Sequence, residues 1–546
     1  MKNLFRQIKP VNGASAPASW TAATRRRFVT GRYVSQFQSA VMPAHSKTLR
    51  SLFAASLLTL SLTSAVRADL PAPASIPARP EKLAFPPLQF EPPRADDYRV
   101  QLKSGPVAYL VPDRELPLVN IVVYVRAGQY LEPIGKEGVA ELTGWLLAHG
   151  GAGKKSAAQL EERLAFLAAG LESGIESTRG EVSLNLLAKD VDEGLAILRD
   201  VLYAPKFDDE QIKLHKEEML QGMKQRNDNS ESIEEREADY LAYGEKFWSN
   251  RAVTAKSLES ISRKDLEAFH QRWFAPQNFV VAVSGDFDRA EMTAKLEKLF
   301  AAAPFKGEVP PMFFTNTTFA APGIYVVDKP DVNQGRVSML LPGIRRDNPD
   351  AFAITIMNNI LGGGGFTSRI MNRVRSDEGL AYHAGTTFRG GIYFPLPFTA
   401  EFQSKNRTVA YAISLIQDEM KKICATPVSD AELAASKNSY LERFPQHFGS
   451  KQANSELFAD EEFTGRYVSQ PDYWKNFRAG IAAVTAADVQ RVAQKYLTSE
   501  KLVILVVGNQ AEILLGHPAH PVKLSELGGQ VIDRPLRDPL TLEPLK

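Results

Sequence analysis

The chain has 546 residues, with 65 Lys and Arg against 63 Asp and Glu, and one cysteine, Cys424. A net charge of +2 gives no electrostatic case for a nucleic-acid partner. One thiol cannot build an intramolecular disulfide framework, and a chain of this length exceeds a single small core, so roughly two to four domains are expected.

Lys47 and Arg50 precede an apolar stretch, Leu52 to Leu62, broken only by small polar residues and followed by Ala65-Val66-Arg67-Ala68. A charged region, an apolar region and a small-residue cleavage site make a secretory signal peptide. The stretch is too short for a membrane span. It lies far from Met1, so Met42 is the expected start and residues 1–68 are a leader; an uncleaved anchor is the alternative. Residues 69–97 carry Pro71, Pro73, Pro77, Pro80, Pro86, Pro87, Pro92 and Pro93, which stop both helices and central strands. They are expected to form an extended arm.

Structured sequence is expected from Tyr98. The β-branched run Val119 to Val125 predicts a strand. A helix follows in Gly138-Val139-Ala140-Glu141-Leu142-Thr143-Gly144-Trp145-Leu146-Leu147, and Ser156 with Gln159 makes a capping box for the next helix. The chain then repeats itself. Ile261 to Asp286 (helix, strand, Gly-Asp) aligns without a gap, at an offset of 223 residues, with Val484 to Asn509 (helix, strand, Gly-Asn). Two related halves are expected at 98–306 and 321–512, with a linker at 307–320 and a proline-rich tail at 513–546. Strands alternating with helical runs predict layered α/β or α+β domains.

The second half contains Asn359-Ile360-Leu361-Gly362-Gly363-Gly364-Gly365-Phe366-Thr367-Ser368-Arg369, continuing to Arg375-Ser376-Asp377-Glu378-Gly379-Leu380-Ala381-Tyr382. Its glycine run lacks the G-K-[ST] ending of a phosphate loop, and a helix end and turn explains it better. No two of the eight histidines stand at zinc-ligand spacing on a helix: His215 is followed four residues later by Met219, and His517-Pro518-Ala519-His520 is interrupted by proline.

These segments resemble the pitrilysin/insulinase family of metallopeptidases, the inverzincins. Its helix carries H-x-x-E-H, two zinc-binding histidines and a glutamate base. Glu141 stands at the first His, Gly144 at the Glu, Trp145 at the second His, and Gly222 at the family's third ligand, a Glu on a later helix. The resemblance implies an α+β fold of two related domains, each a mostly antiparallel sheet with helices on one face, forming a clam-like chamber. It also implies that Arg375 and Tyr382 hold the substrate backbone near the scissile carbonyl, with Gln334 and Arg336 fitting the same signature. The alternative for that pair is a surface salt bridge and a packed ring. Trp145 either plugs the former metal pocket or is an ordinary aromatic on an apolar face. The stretch Gly170 to Arg179, with Ser173, Gly174, Ile175 and Glu176, corresponds to the family's substrate-pairing edge strand. Ser173-Gly174 replaces the family's N-A there, and glycine weakens strands, so a structural edge strand is expected.

The function this implies is that of a non-catalytic subunit of a periplasmic zinc peptidase. It would bind no metal itself, and zinc would sit in a homologous partner subunit carrying H-x-x-E-H. The heterodimer would act on a peptide or small protein, with no membrane span after signal cleavage. A binding or scaffold protein of the same fold is the alternative. A lone peptidase with a relocated metal site is a third.

Overall fold

The computed structural model describes residues 89–311 and 317–545. The leader, Met42 and most of the proline-rich arm lie outside the described residues. Among the described residues, no helix is long and apolar enough to cross a membrane.

The first half runs β1 (Arg99–Gln101), β2 (Val107–Pro112), β3 (Leu118–Val125), α1 (Val139–His149), α2 (Ala157–Phe166), β4 (Gly170–Ile175), β5 (Gly180–Leu187), α3 (Val191–Tyr203), α4 (Asp209–Lys224), α5 (Ser230–Tyr243), α6 (Ala255–Ser260), α7 (Arg263–Trp273), β6 (Phe279–Gly285) and α8 (Arg289–Ala301). Its six strands lie in the order β1-β2-β6-β3-β5-β4. Only β2 and β6 run parallel. The second half runs β7 (Gly323–Asp328), β8 (Gln334–Ile344), α9 (Ala351–Asn358), α10 (Arg369–Met371), β9 (Ala381–Thr387), β10 (Leu396–Lys405), α11 (Val409–Ala425), α12 (Asp430–Arg443), α13 (Lys451–Phe463), α14 (Arg466–Ser469), α15 (Tyr473–Ala483), α16 (Ala486–Tyr496), β11 (Val503–Gly508), α17 (Gln510–Leu515) and β12 (Val531–Arg534). Its sheet has the order β12-β7-β11-β8-β10-β9.

The internal repeat is real in three dimensions. Helices α7 and α16 are opened by equivalent capping boxes, Ser262 with Asp265 and Thr485 with Asp488. Each leads into a wholly buried strand, β6 or β11, whose continuous apolar run suits a sheet interior. β6 lies parallel to β2 as β11 lies parallel to β7. The outer edges differ: β1 is antiparallel to β2, whereas the tail strand β12 runs parallel to β7. The proline-rich tail therefore completes the second sheet and does not merely cross the surface.

Strand alternation explains how the layers meet. Val119, Ile121, Val123 and Val125 of β3 point into a core shared with α1, α3, α7 and α8. Val122 and Tyr124 point the other way and meet Phe458, Ala459 and Phe463 of α13, a helix from the second half. The second sheet does the converse. Val337, Met339 and Leu341 of β8 face α9, α11 and α16, while Leu340, with Val503 and Leu505 of β11, meets Ile233, Leu241 and Tyr243 of α5, from the first half. Each sheet thus takes its own helices on one face and one helix from the other half on the opposite face.

Polar contacts fasten this exchange. Arg99 donates to both Glu462 oxygens at 3.0 and 3.1 Å, and Tyr109 Oη donates to Glu462 at 2.9 Å. Arg126 caps the end of α13 through the Phe463 carbonyl at 2.7 Å. On the other side, Arg336 and Ser338 donate to the buried Glu234 of α5 at 2.6 and 2.7 Å. Arg336 therefore serves the contact between halves, its guanidinium donating to Glu231 and Glu234 of α5 and to Gln403 of β10.

Candidate functional site

Helix α1 begins at Gly138, whose φ of +104° a side-chain-bearing residue rarely adopts. The buried Glu132 caps it, accepting from Gly138 N–H at 3.0 Å and Ala140 N–H at 2.8 Å. Burial pushes the Glu132 carboxyl up to about 7, against the lowering effect of those two donors. Val139, Ala140, Leu142, Leu146 and Leu147 turn into the core, while Glu141 is exposed.

Gly144 marks the point where α1 touches the sheet. A Cβ there would lie 2.3 Å from Ile175 N and 2.7 Å from Gly174 C. Ser173 completes the contact: its hydroxyl donates to the Gly144 carbonyl at 2.6 Å and accepts from Ala148 N–H at 2.9 Å. β4 is an edge strand, but it ends at Ile175. Glu176 falls outside it, because Glu176 N–H turns to Arg179 O at 2.8 Å and closes the hairpin to β5. The Glu176 carbonyl accepts from Gln129 N–H at 3.0 Å, and Gly144 lies against Ile175 N. The edge expected at Ser173 to Glu176 is thus shorter than its sequence and engaged by α1.

The indole of Trp145 lies between two imidazoles. His149 stacks on it at 4.3 Å with the rings 7° apart, and His215 of α4 at 4.1 Å and 3°. The His149 Nδ1 lies 2.9 Å from the Trp145 carbonyl, so that nitrogen carries the proton. Gly222 follows two helical turns after His215 on α4 and is half-buried. Where the zinc-bearing motif would join two helices through a metal, this chain joins α1 to α4 through stacked rings. The residues present do not fit zinc. The carboxylate of Glu141 is on the exposed side, an indole occupies the space between the imidazoles, and among the described residues no three His, Cys, Asp or Glu side chains gather in a way that could hold a metal ion. The indole N–H is buried with no hydrogen-bond partner. Sequence reasoning missed the two histidines as a pair. Trp145 and His149 show helical i, i+4 spacing, but His215 joins only through tertiary packing.

The second cluster gathers on the edge of the other sheet. α9 widens into a π-helical turn, Asn359–Gly363, then a tight turn, Gly365–Thr367, begins at Gly365 with φ +61°. The close approach of Gly362 to β9 explains one glycine of the run: a Cβ there would lie 2.7 Å from Thr386 N. Arg375 sits in a further π-helical turn, Asn372–Asp377. Its guanidinium carbon lies 4.5 Å over the Phe366 ring and 4.7 Å over the Tyr382 ring. Arg373 takes the nearby Glu378 at 2.9 Å, and among the described residues Arg375 makes no ion pair. Tyr382 lies near the start of β9, where two residues of that strand face Gln403 of β10; this bulge re-aims the ring outward. Tyr382 is 85% exposed and Phe366 67% exposed. The alternative of a surface salt bridge and a packed tyrosine does not describe this geometry. The cluster offers N–H donors and a phenol O–H beside two open rings.

Comparison with known proteins finds a peptidase family. Residues 110–247 match the model of the insulinase family (peptidase family M16), and residues 260–440 match the model of the M16 inactive domain. A probable mitochondrial-processing peptidase subunit beta from Arabidopsis thaliana is 21% identical over 408 residues, 71% of this chain and 74% of that one. The Helicobacter pylori non-peptidase homolog YmxG is 24% identical over 332 residues, 60% of this chain and 74% of that one. The crystal structure of an M16 inactive domain from Pseudomonas fluorescens superposes with a TM-score of 0.66 at 24% identity, covering 75% of this chain and 97% of that one; at that identity the likeness speaks for the fold.

Proposed function

Because the chain belongs to the insulinase (M16) peptidase family, we propose that it is a non-catalytic subunit of a zinc metallopeptidase, lending substrate contacts to a partner subunit that carries H-x-x-E-H and the metal. One observation carries the reading. The His149–Trp145–His215 stack stands where the resemblance puts the zinc ligands, while Tyr382 is exposed beside a half-buried Arg375 that carries no carboxylate among the described residues. An Arg fork and a phenol hydroxyl suit the carbonyl oxygens of an extended peptide or small protein. The names of relatives support both parts: one is a non-peptidase homolog and another is a subunit of a processing peptidase. The leader sequence supports a periplasmic location.

The test begins with co-purification from the native periplasm, followed by peptidase assays on the reconstituted pair. Removing a donor aimed at a developing oxyanion typically costs about 3 kcal/mol, or roughly a hundredfold in rate. Arg375→Ala or Tyr382→Phe is expected to lower the activity of the pair on that scale. Full activity of both variants would reject the role.

A further inference from the structure

Phe366 plays no part in the proposed peptide contact, yet it touches the arginine on which that contact turns. A phenylalanine that is 67% exposed gains little from burial, and its backbone is nonetheless held firmly. Ser368 N–H and the Ser368 hydroxyl donate to the Gly365 carbonyl at 3.0 and 2.7 Å, and the Thr367 hydroxyl donates to the Gly364 carbonyl at 3.0 Å. Just beyond, Arg369 grips Glu432 of α12 with two bonds of 2.6 and 3.0 Å. The turn is fixed at both ends, and its side chain projects under the guanidinium of Arg375, 4.5 Å from the ring centre.

We infer that Phe366 is a positioning residue for Arg375. A lone arginine on a helical turn samples many rotamers. With no carboxylate partner, the Arg375 head is restrained by the faces of Phe366 and Tyr382, whose π-clouds attract the cation. Rings cover faces and leave the in-plane N–H groups open, so the arginine is held without spending its donors. A carboxylate in the same place would have consumed them. This inference rests on the proposed function only in naming what the donors are for.

The experiment is phenylglyoxal modification of the intact chain, followed at Arg375 by peptide mass spectrometry, with the ion-paired Arg369 as internal reference. The reagent must reach the guanidinium nitrogens, and a ring held over the group restricts that approach. Phe366→Leu and Phe366→Met keep an apolar side chain without a π-face, and each is expected to speed modification of Arg375 by roughly threefold. Phe366→Trp is expected to behave as wild type, and Arg369 is expected not to change. Wild-type rates at Arg375 in both the Leu and Met variants, or a Trp variant as fast as they are, would overturn the inference. If Phe366→Leu frees Arg375 while Arg375→Ala leaves the reconstituted peptidase fully active, the positioning stands and the proposed function falls.

Discussion

Replacing Gly144 by alanine tests whether α1 is locked against β4. At an open site inside a helix this change is favourable by about 1 kcal/mol. Here the new methyl would lie 2.3 Å from Ile175 N, 2.7 Å from Gly174 C and 3.0 Å from Gly174 Cα. All three are backbone atoms, so no rotamer relieves the clash and the helix must lift off the strand. Overpacking of this kind costs about 1–3 kcal/mol. Lifting also stretches the two Ser173 hydroxyl bonds, at 2.6 and 2.9 Å, each contributing about 1 kcal/mol. Offset by the helix preference, the net loss is about 2–4 kcal/mol, opposite in sign to the propensity effect. Urea unfolding followed by circular dichroism reads it directly. Gly174→Ala is the control: a Cβ there meets nothing within 4 Å, so it is expected to be neutral or stabilising by about 0.5 kcal/mol. A Gly144→Ala protein as stable as wild type would refute the lock.

Three further outcomes are expected from the same geometry. Writing the family motif back in, with Glu141→His, Gly144→Glu, Trp145→His and Gly222→Glu together, is expected to yield no stoichiometric zinc by metal analysis after dialysis, because the residue-144 side chain has no room until the backbone moves; one zinc per chain would contradict this. Glu132, raised to about 7 by burial, contributes stability that is full below the ordinary carboxylate range and is lost as pH rises through about 7. Glu132→Gln keeps an acceptor for Gly138 and Ala140 N–H, so unfolding curves should show it up to about 3 kcal/mol more stable than wild type near pH 8 and close to equal near pH 5. Arg375→Ala and Tyr382→Phe, changing a half-buried group that makes no ion pair among the described residues and an exposed one, should leave the unfolding free energy within about 0.5 kcal/mol of wild type.

Much of the fold was legible because it rests on local rules. The strand at Val119 to Val125, the capping box at Ser156 and Gln159, and the paired boxes at Ser262 and Thr485 are each written in a few adjacent residues, and the constant spacing of the repeat placed β6 and β11 in equivalent positions. The exchange of α5 and α13 was not legible. Both helices carry glutamates on the faces that meet the other half's sheet, and a glutamate on a helix ordinarily reads as solvent-facing. Glu234 and Glu462 are instead consumed by Arg336 and Arg99, more than a hundred residues away in the chain. The end of the edge strand was hidden for a similar reason: Glu176 looks like a continuation of Gly170 to Ile175 until its N–H is seen turned to Arg179. At the candidate site, glycines at 144 and 362 read as losses or turns, when each marks a helix pressed against strand backbone.

Packing accounts for one of the two clusters and not for the other. Gly144, Trp145, Ser173, His149 and His215 form a self-consistent set in which each residue is explained by its neighbours: glycine by the backbone beside it, serine by the two bonds it bridges, and the rings by one another. This set fastens α1 to β4 and to α4. Phe366, Arg375 and Tyr382 have no such internal explanation. Two rings largely open to water bury little area, and a cation without a carboxylate gains only the weak attraction of their faces. Three side chains from a turn, a π-helical segment and a strand converge there at some cost in exposed apolar surface. An arrangement that stability does not require, and that keeps its hydrogen-bond donors unspent, is what the proposed peptide contact calls for. The chain's two halves thus carry the marks of different demands, fastening in the first and presentation in the second.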